Sequence, residues 1–212
     1  MLLQSTGSEL DRWPYAPGES PFRTKGINYR GHLDWTREHF PGGVDGMLAL
    51  LSEEHVAFFS QTFLASSFYD VHPLCVAGRV MAPAVRLRFL DFVRMRCQWQ
   101  ADVDVKKVYR MLLRVVSAER VAQLMPKQIQ QAFNFGHAHM RVVDRGHVTG
   151  TMTGMPLAIL PWWGAVVETY VQHVLTVAGV DGAHVSVRRG APEESSAEVE
   201  LTSVEFDVFF HA

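Results

Sequence analysis

The sequence predicts an α+β fold: a helical N-terminal half followed by a ββαββ antiparallel sheet with one helix packed across it. Three observations carry this. From about 27 to 134, apolar residues recur every three or four positions, the spacing of one helix face. From 135 onward the alternation has period two, as on half-buried strands. Between two pairs of such strands lies one long amphipathic run, bracketed by Pro161 as a first-turn residue and Gly179 as a stop.

Residues 1–22 are expected to form a flexible arm, because Pro14, Pro17, Pro21, Gly7 and Gly18 interrupt any regular element. Trp13 and Tyr15 give that arm something to dock with. Residues 23–212 are expected to be a single domain, helical over 27–134 and ββαββ over 135–212.

The first helix falls in "NYRGHLDWTREHFPGG", with Asn28 as N-cap, Tyr29, Leu33, Trp35 and Phe40 as its apolar set, and Gly42 and Gly43 as its end. A short helix at "VDGMLALL" follows. "SEEHVAFFSQTFLASSFYDVHP", opened by Ser52 and Glu54, carries too many aromatic residues for a surface helix and is expected to be largely core. "HPLCVAGRVMAP" starts on Pro73 and ends at Pro83. A long element from Ala84 to Val116 comes next, seamed by Trp99, Val103, Val108, Leu112 and Val115, with Asp102 and Lys106 paired on its wet side. Ser117 caps "SAERVAQLMPKQIQQAF", which Pro126 kinks or divides.

"HAHMRVVD" and "HVTGTMTG" make a hairpin closed at Arg145-Gly146. The bracketed helix then presents Val167, Tyr170, Val171, Val174, Leu175 and Ala178 to the sheet. "HVSVRR" and "AEVELTSVEFDVFF" complete it, joined by the polar loop "GAPEESS". Val199 and Leu201 share one parity, and Val204, Phe206, Val208 and Phe210 the other. A bulge at Thr202-Ser203 would keep one face apolar, leaving Glu205 and Asp207 to water.

A formal charge of -2 excludes generic binding to nucleic acid or an anionic membrane. Cys75 and Cys97 lie among apolar residues without CxxC spacing and are expected to be buried thiols. The N-terminus lacks the basic and apolar regions of a signal peptide and no run of eighteen apolar residues occurs, so a cytoplasmic protein without a membrane span is expected.

His137, His139 and His147 are the weak candidates for a metal site. In a hairpin of uniform register His139 faces Met152, and His147 lies on the opposite face from His137 and His139, which breaks the triad. No cofactor is therefore expected. No nucleophile elbow surrounds Ser66 or Ser67, and "GTMTGMP" lacks the lysine of a phosphate loop, so an enzyme is not expected. Arg79, Arg86, Arg88, Arg94 and Arg96 form either a solvated helix face or a grip for a carboxylate or phosphate.

Helices followed by ββαββ is also the element order of the haem NO-binding fold, the vinyl-4-reductase domain and the Bet3-like subunits of tethering complexes. The stretches "RTKGINYRGHLDWTREHF", "FLASSFYDVHPLCVAGRVMA", "WQADVDVKKVYRMLL" and "AFNFGHAHMRVVDRGHVTGTMTGMP" resemble a myxobacterial-type paralogous family remotely similar to these. The haem-binding members carry a proximal histidine and a Tyr-x-Ser-x-Arg propionate clamp, a signature missing here; His72 is the nearest imitation of the ligand. What the resemblance implies is a sensory or ligand-binding domain, its pocket lying between the Ala84–Val116 helix and the sheet. Phe63, Phe68, Tyr69, Phe92, Met95, Trp99, Trp162 and Trp163 are the candidate lining, and a small apolar or amphipathic molecule the ligand. The alternative is a pocketless interaction module that homodimerises through a helical surface or meets a partner protein. A cavity of about 300 Å³ or more separates the two.

Overall fold

The computed structural model describes residues 10–104, 118–180, 182–196 and 198–210. After a 3-10 turn at Leu10–Arg12, the chain forms β1 (Arg23–Lys25), α1 (Gly26–His39), α2 (Gly43–Leu48), α3 (Glu53–Phe59), β2 (Phe68–Asp70), α4 (His72–Ala84) and α5 (Phe89–Asp104). Then come α6 (Ala118–Ala132), β3 (His137–Asp144), β4 (His147–Pro156), α7 (Leu160–Val177), β5 (His184–Ser196) and β6 (Val199–Phe209). β3 to β6 form an antiparallel sheet of order β3-β4-β6-β5, and the predicted α+β class with its ββαββ second half is what the chain adopts.

Residues 10–22 are docked where a loose arm was expected. Leu10 and Trp13 are buried, Trp13 stacks on His72 with ring centroids 5.0 Å apart, and Gly18 N–H donates to Asp70 at 3.0 Å. Apolar burial and a satisfied carboxylate together outweigh the glycines and prolines.

The entry to α1 is a clamp. Gly26 and Ile27 N–H donate to the Ser67 and Ala65 carbonyls at 2.8 and 3.1 Å, and a Cβ on Gly26 would stand 2.2 Å from the Leu64 carbonyl oxygen. Asn28 is therefore inside the helix and not its cap; its Nδ2 donates to Thr24 Oγ1 at 2.6 Å. The helix ends at His39, ahead of the glycine stop expected for it, and Gly42 and Gly43, at φ 74° and 61°, instead turn the chain into α2.

The aromatic segment after Ser52 is helical only over α3. The chain then loops back to pair β2 with β1, a two-stranded sheet the helical period did not suggest. Phe59 and Phe63 are core, with Phe63 stacked on Tyr29 at 4.3 Å. α4 and α5 are likewise separate. Pro83 lies in the last turn of α4, Arg86 takes φ 58°, and α5 begins at Phe89 instead of Ala84. A left-handed residue ends a right-handed helix. Lys106, Val108, Leu112, Val115 and Ser117, on which the rest of the long seam, the expected ion pair and the cap depended, lie outside the described residues. Pro126 is carried within α6 without dividing it.

In the sheet, β6 keeps its alternation through Thr202 and Val204, both buried, and the bulge expected at Thr202-Ser203 lies on its neighbours instead. Opposite Val204 to Thr202, both flanking strands use one residue more, between Met152 and Met155 on β4 and between Arg189 and Pro192 on β5. Gly154, at φ 74°, supplies the turn on β4, and its N–H donates to Glu193 at 2.8 Å. β5 accordingly runs through the "GAPEESS" stretch expected to be a loop. Val204, Phe206, Val208 and Phe210 all face inward and are buried, and Trp163 of α7 packs edge-on against Phe206 at 5.9 Å. Glu168 fixes α7 to the sheet by accepting Val187 N–H at 2.9 Å.

Candidate functional site

A cavity of about 380 Å³ opens among the helices, bounded by α1, α4, α5, α6 and α7. α5 contributes Phe92, Val93, Arg96, Cys97, Gln100 and Asp104, a run of steps of one, three and four that marks a single helix face. α7 contributes Trp162, Val166, Val167, Tyr170, Val171 and Val174, and α6 adds Met125 and Ile129. No residue of β3 to β6 reaches it among the described residues. The pocket expected between α5 and the sheet is instead walled by α7, which stands between the cavity and the sheet.

Most of this wall is apolar, but three polar atoms on it are buried without a partner among the described residues: His32 Nε2, Arg96 Nη1 and Gln100 Oε1. His32 is 2% exposed. Burial, reinforced by the Arg96 charge, pushes its pKa down to about 3, so the imidazole is neutral and either donates or accepts at Nε2. Burial also lowers the Arg96 pKa, the signature of a cation removed from water. Asp104 lies near enough to support that cation, but its oxygens receive Gln100 Nε2 at 2.8 Å and the Tyr170 hydroxyl at 3.3 Å. The bond to Asp104 fixes the Gln100 amide so that its carbonyl oxygen is the unpaired end. α1 and α5 touch here, since a Cβ on Gly31 would fall 1.7 Å from Gln100 Oε1.

Of the eight predicted lining residues, Phe92 and Trp162 reach the cavity. Phe63 belongs to the Tyr29 cluster, and the Tyr69 hydroxyl accepts Leu64 N–H at 2.9 Å beside it. Phe68 lies on the surface under Lys25, whose Nζ is 5.9 Å from its ring centroid. Met95 is exposed, Trp99 is half-buried with its ring edge-on to His39 at 5.8 Å, and Trp163 is turned to the sheet. An aromatic count does not say which helix face a ring occupies. His32 and Gln100 went unrecognised, and Arg96 was read only as one of an arginine cluster, although Arg96 and Gln100 stand four apart on one helix, the spacing that brings two polar groups to the same place.

The other candidates disperse. Arg79 pairs with Asp11, and Arg88 and Arg94 share Asp91, so these three cations are already paired within the protein. His139 pairs with Thr151 and not Met152, because the register shifts between Val142 and Asp144. That shift returns His147 to the parity of Thr149, Thr151 and Thr153, the face shared by His137 and His139, and corrects the expectation of opposite faces. Distance separates them instead, since Thr151 and His147 are four residues or about 13 Å apart along β4. His147 is also engaged, with Nε2 3.0 Å from Asp207 and its ring stacked on Phe209 at 4.2 Å. Asp207 is buried between His147 and Arg188 instead of facing water. Burial alone would raise its pKa, and those two partners bring it below the usual range. No group of three or more His, Cys, Asp or Glu among the described residues is placed to hold a metal ion. No helix among them is long and apolar enough to cross a membrane.

No family model and no curated protein sequence matches the chain. Solved structures do. An Fe(II) unliganded H-NOX protein from K. algicida superposes with a TM-score of 0.58 at 12% identity, over 89% of this chain and 97% of that one. An H-NOX protein from S. oneidensis in the Fe(II)NO ligation state gives 0.59 at 8% identity, over 89% and 99%. A third, described by porphyrin distortion that modulates haem redox potential, gives 0.58 at 9%, over 88% and 99%. The chain has the α+β fold of H-NOX proteins.

That fold implies a haem, and the cavity residues do not fit one. An axial imidazole faces the centre of the macrocycle, while cations that hold propionates stand at its rim. Here the one imidazole on the wall, His32, has the Arg96 guanidinium close enough to depress its pKa. A cation beside the donor nitrogen opposes iron, itself a cation, at that nitrogen.

Proposed function

We propose that the chain is a non-enzymatic sensory domain, one domain from residue 23 onward with residues 10–22 docked on it, that holds a small apolar or amphipathic molecule in the cavity among α1, α4, α5, α6 and α7. The observation that carries this reading is the cavity itself, whose volume of about 380 Å³ falls in the range of small-molecule sites, about 300–1,000 Å³. It favours a ligand-binding domain over a pocketless interaction module. The groups on its wall suit binding better than catalysis: the Cys97 thiol, pushed up to about 11 by burial, is a poor nucleophile, and His32 is neutral. Free, buried Cys75 and Cys97 agree with a reducing, cytoplasmic setting. Occupancy would act on a partner by shifting the packing of α5 against α7.

Native mass spectrometry beside the denatured mass tests this, together with calorimetric titration of decanol. One small molecule per chain lost on denaturation, or one equivalent of decanol bound, is expected, and Val171→Trp, which fills the cavity, abolishes either. Neither adduct nor decanol binding, with a dimer as the native species, returns the protein to the interaction module; a liganded dimer adds homodimerisation to the present reading.

A further inference from the structure

We propose that the cavity is built for a carboxylate-bearing amphiphile, whose headgroup is received by Arg96 and His32 and whose chain lies along the valine face of α7. This rests on the cavity being a ligand site. It adds the chemical class of what enters.

A guanidinium stays charged in proteins, and removing it from water without a counter-ion costs several kcal/mol, on the order of the penalty for any buried ion. Arg96 has a buried Nη1 with no hydrogen-bond partner among the described residues, and Asp104, whose charge acts on it, accepts hydrogen bonds from Gln100 and Tyr170. Such a group retained in a core calls for an anion. Carboxylate geometry matches the guanidinium fork, and charge-assisted bonds of this kind are about twice as strong as neutral ones.

His32 supplies the second donor. It is buried, neutral and unpaired at Nε2, it feels the Arg96 charge, and it follows Gly31, which packs on Gln100 at the α1–α5 contact. A neutral imidazole donates one N–H to a carboxylate oxygen without adding a second buried charge. Gln100 Oε1, an acceptor, takes a donor next to the headgroup, water included.

Away from these three, Val166, Val171, Val174, Ile129, Met125 and Trp162 make the apolar part of the wall, which Lys25 also lines. An apolar chain gains affinity with each methylene buried there. One charged end and one apolar end make the complement of this surface an amphiphile and exclude a small polar anion such as acetate.

Calorimetric titration of the whole chain with decanoate and with decanol, near pH 8, separates the two levels of the reading. Decanoate is expected to bind at least tenfold more tightly than decanol. In Arg96→Met the ratio of the two affinities falls to about one, and Arg96→Lys recovers only part of the preference. Binding of neither ligand removes the cavity as a ligand site altogether. Equal binding of both in the wild-type chain leaves the site and overturns the carboxylate assignment. Because this comparison needs no variant, it holds even if Arg96→Met fails to fold. Acetate binding as tightly as decanoate would show an anion pocket without the apolar half, and would also overturn the proposal.

Discussion

At the residue scale, the imidazoles are the most informative side chains. Burial lowers the His32 pKa to about 3 and that of His72 to about 4, so both stay neutral in the folded chain where an unfolded chain takes up protons near its ordinary value. Stability is therefore full above the ordinary histidine pKa and falls as pH drops below it, by up to about 1.4 kcal/mol per pH unit for each group. Asp70, raised by burial, acts in the opposite sense at the acid end. Urea melts between about pH 7 and 5 are expected to show this loss, and His72→Gln to flatten it; an unchanged slope would mean that His72 is solvated. A second comparison weighs two tryptophans. Trp163→Ala, at a fully buried position, is expected to cost about 3–5 kcal/mol, and Trp99→Ala, half-buried on α5, about 1–2 kcal/mol. The sequence made Trp99 the seam residue because its spacing fits an apolar stripe. Spacing fixes the stripe but not its depth, which depends on what α1 and α7 bring to either side.

At the element scale, the register of β6 decides the core. Phe206→Ala is expected to lower stability by about 3–5 kcal/mol, while Glu205→Ala, on the outer face beside Arg188, stays within about 0.5 kcal/mol. Gly26→Ala should be more damaging than its size suggests, because the new methyl meets the Leu64 backbone carbonyl and not a side chain that can move away. A thermal melt within a degree of wild type would contradict the clamp. Elements with strong local signals were legible: α7 between Pro161 and Gly179 and the β3–β4 turn at Gly146. Those set by distant pairing were not. β1 and β2 are three residues each and exist through each other, and the bulges expected on β6 are located on β4 and β5. Of the site, the apolar wall of α7 could be read from its stripe. The polar end could not, because His32 and Arg96 meet only once α1 lies on α5.

At the scale of the whole molecule, one buried apolar cluster runs from Leu10 and Trp13 through the helices to Val208 and Phe210, so the cavity lies within a continuous core. α7 is the partition in that core. Its Val166, Val171 and Val174 look into the cavity, its Trp163 looks onto Phe206, and its Glu168 holds the backbone of β5. A partition loaded from one side transmits to the other. Bound decanoate is therefore expected to slow amide-hydrogen exchange not only in α5 and α7 but also at Val187 and its neighbours on β5, which no ligand touches. Slowing confined to the cavity walls would show α7 to be a screen rather than a coupling. If the exchange pattern does cross the helix, the outer sheet face, with its threonines and histidines, becomes the surface on which occupancy is displayed.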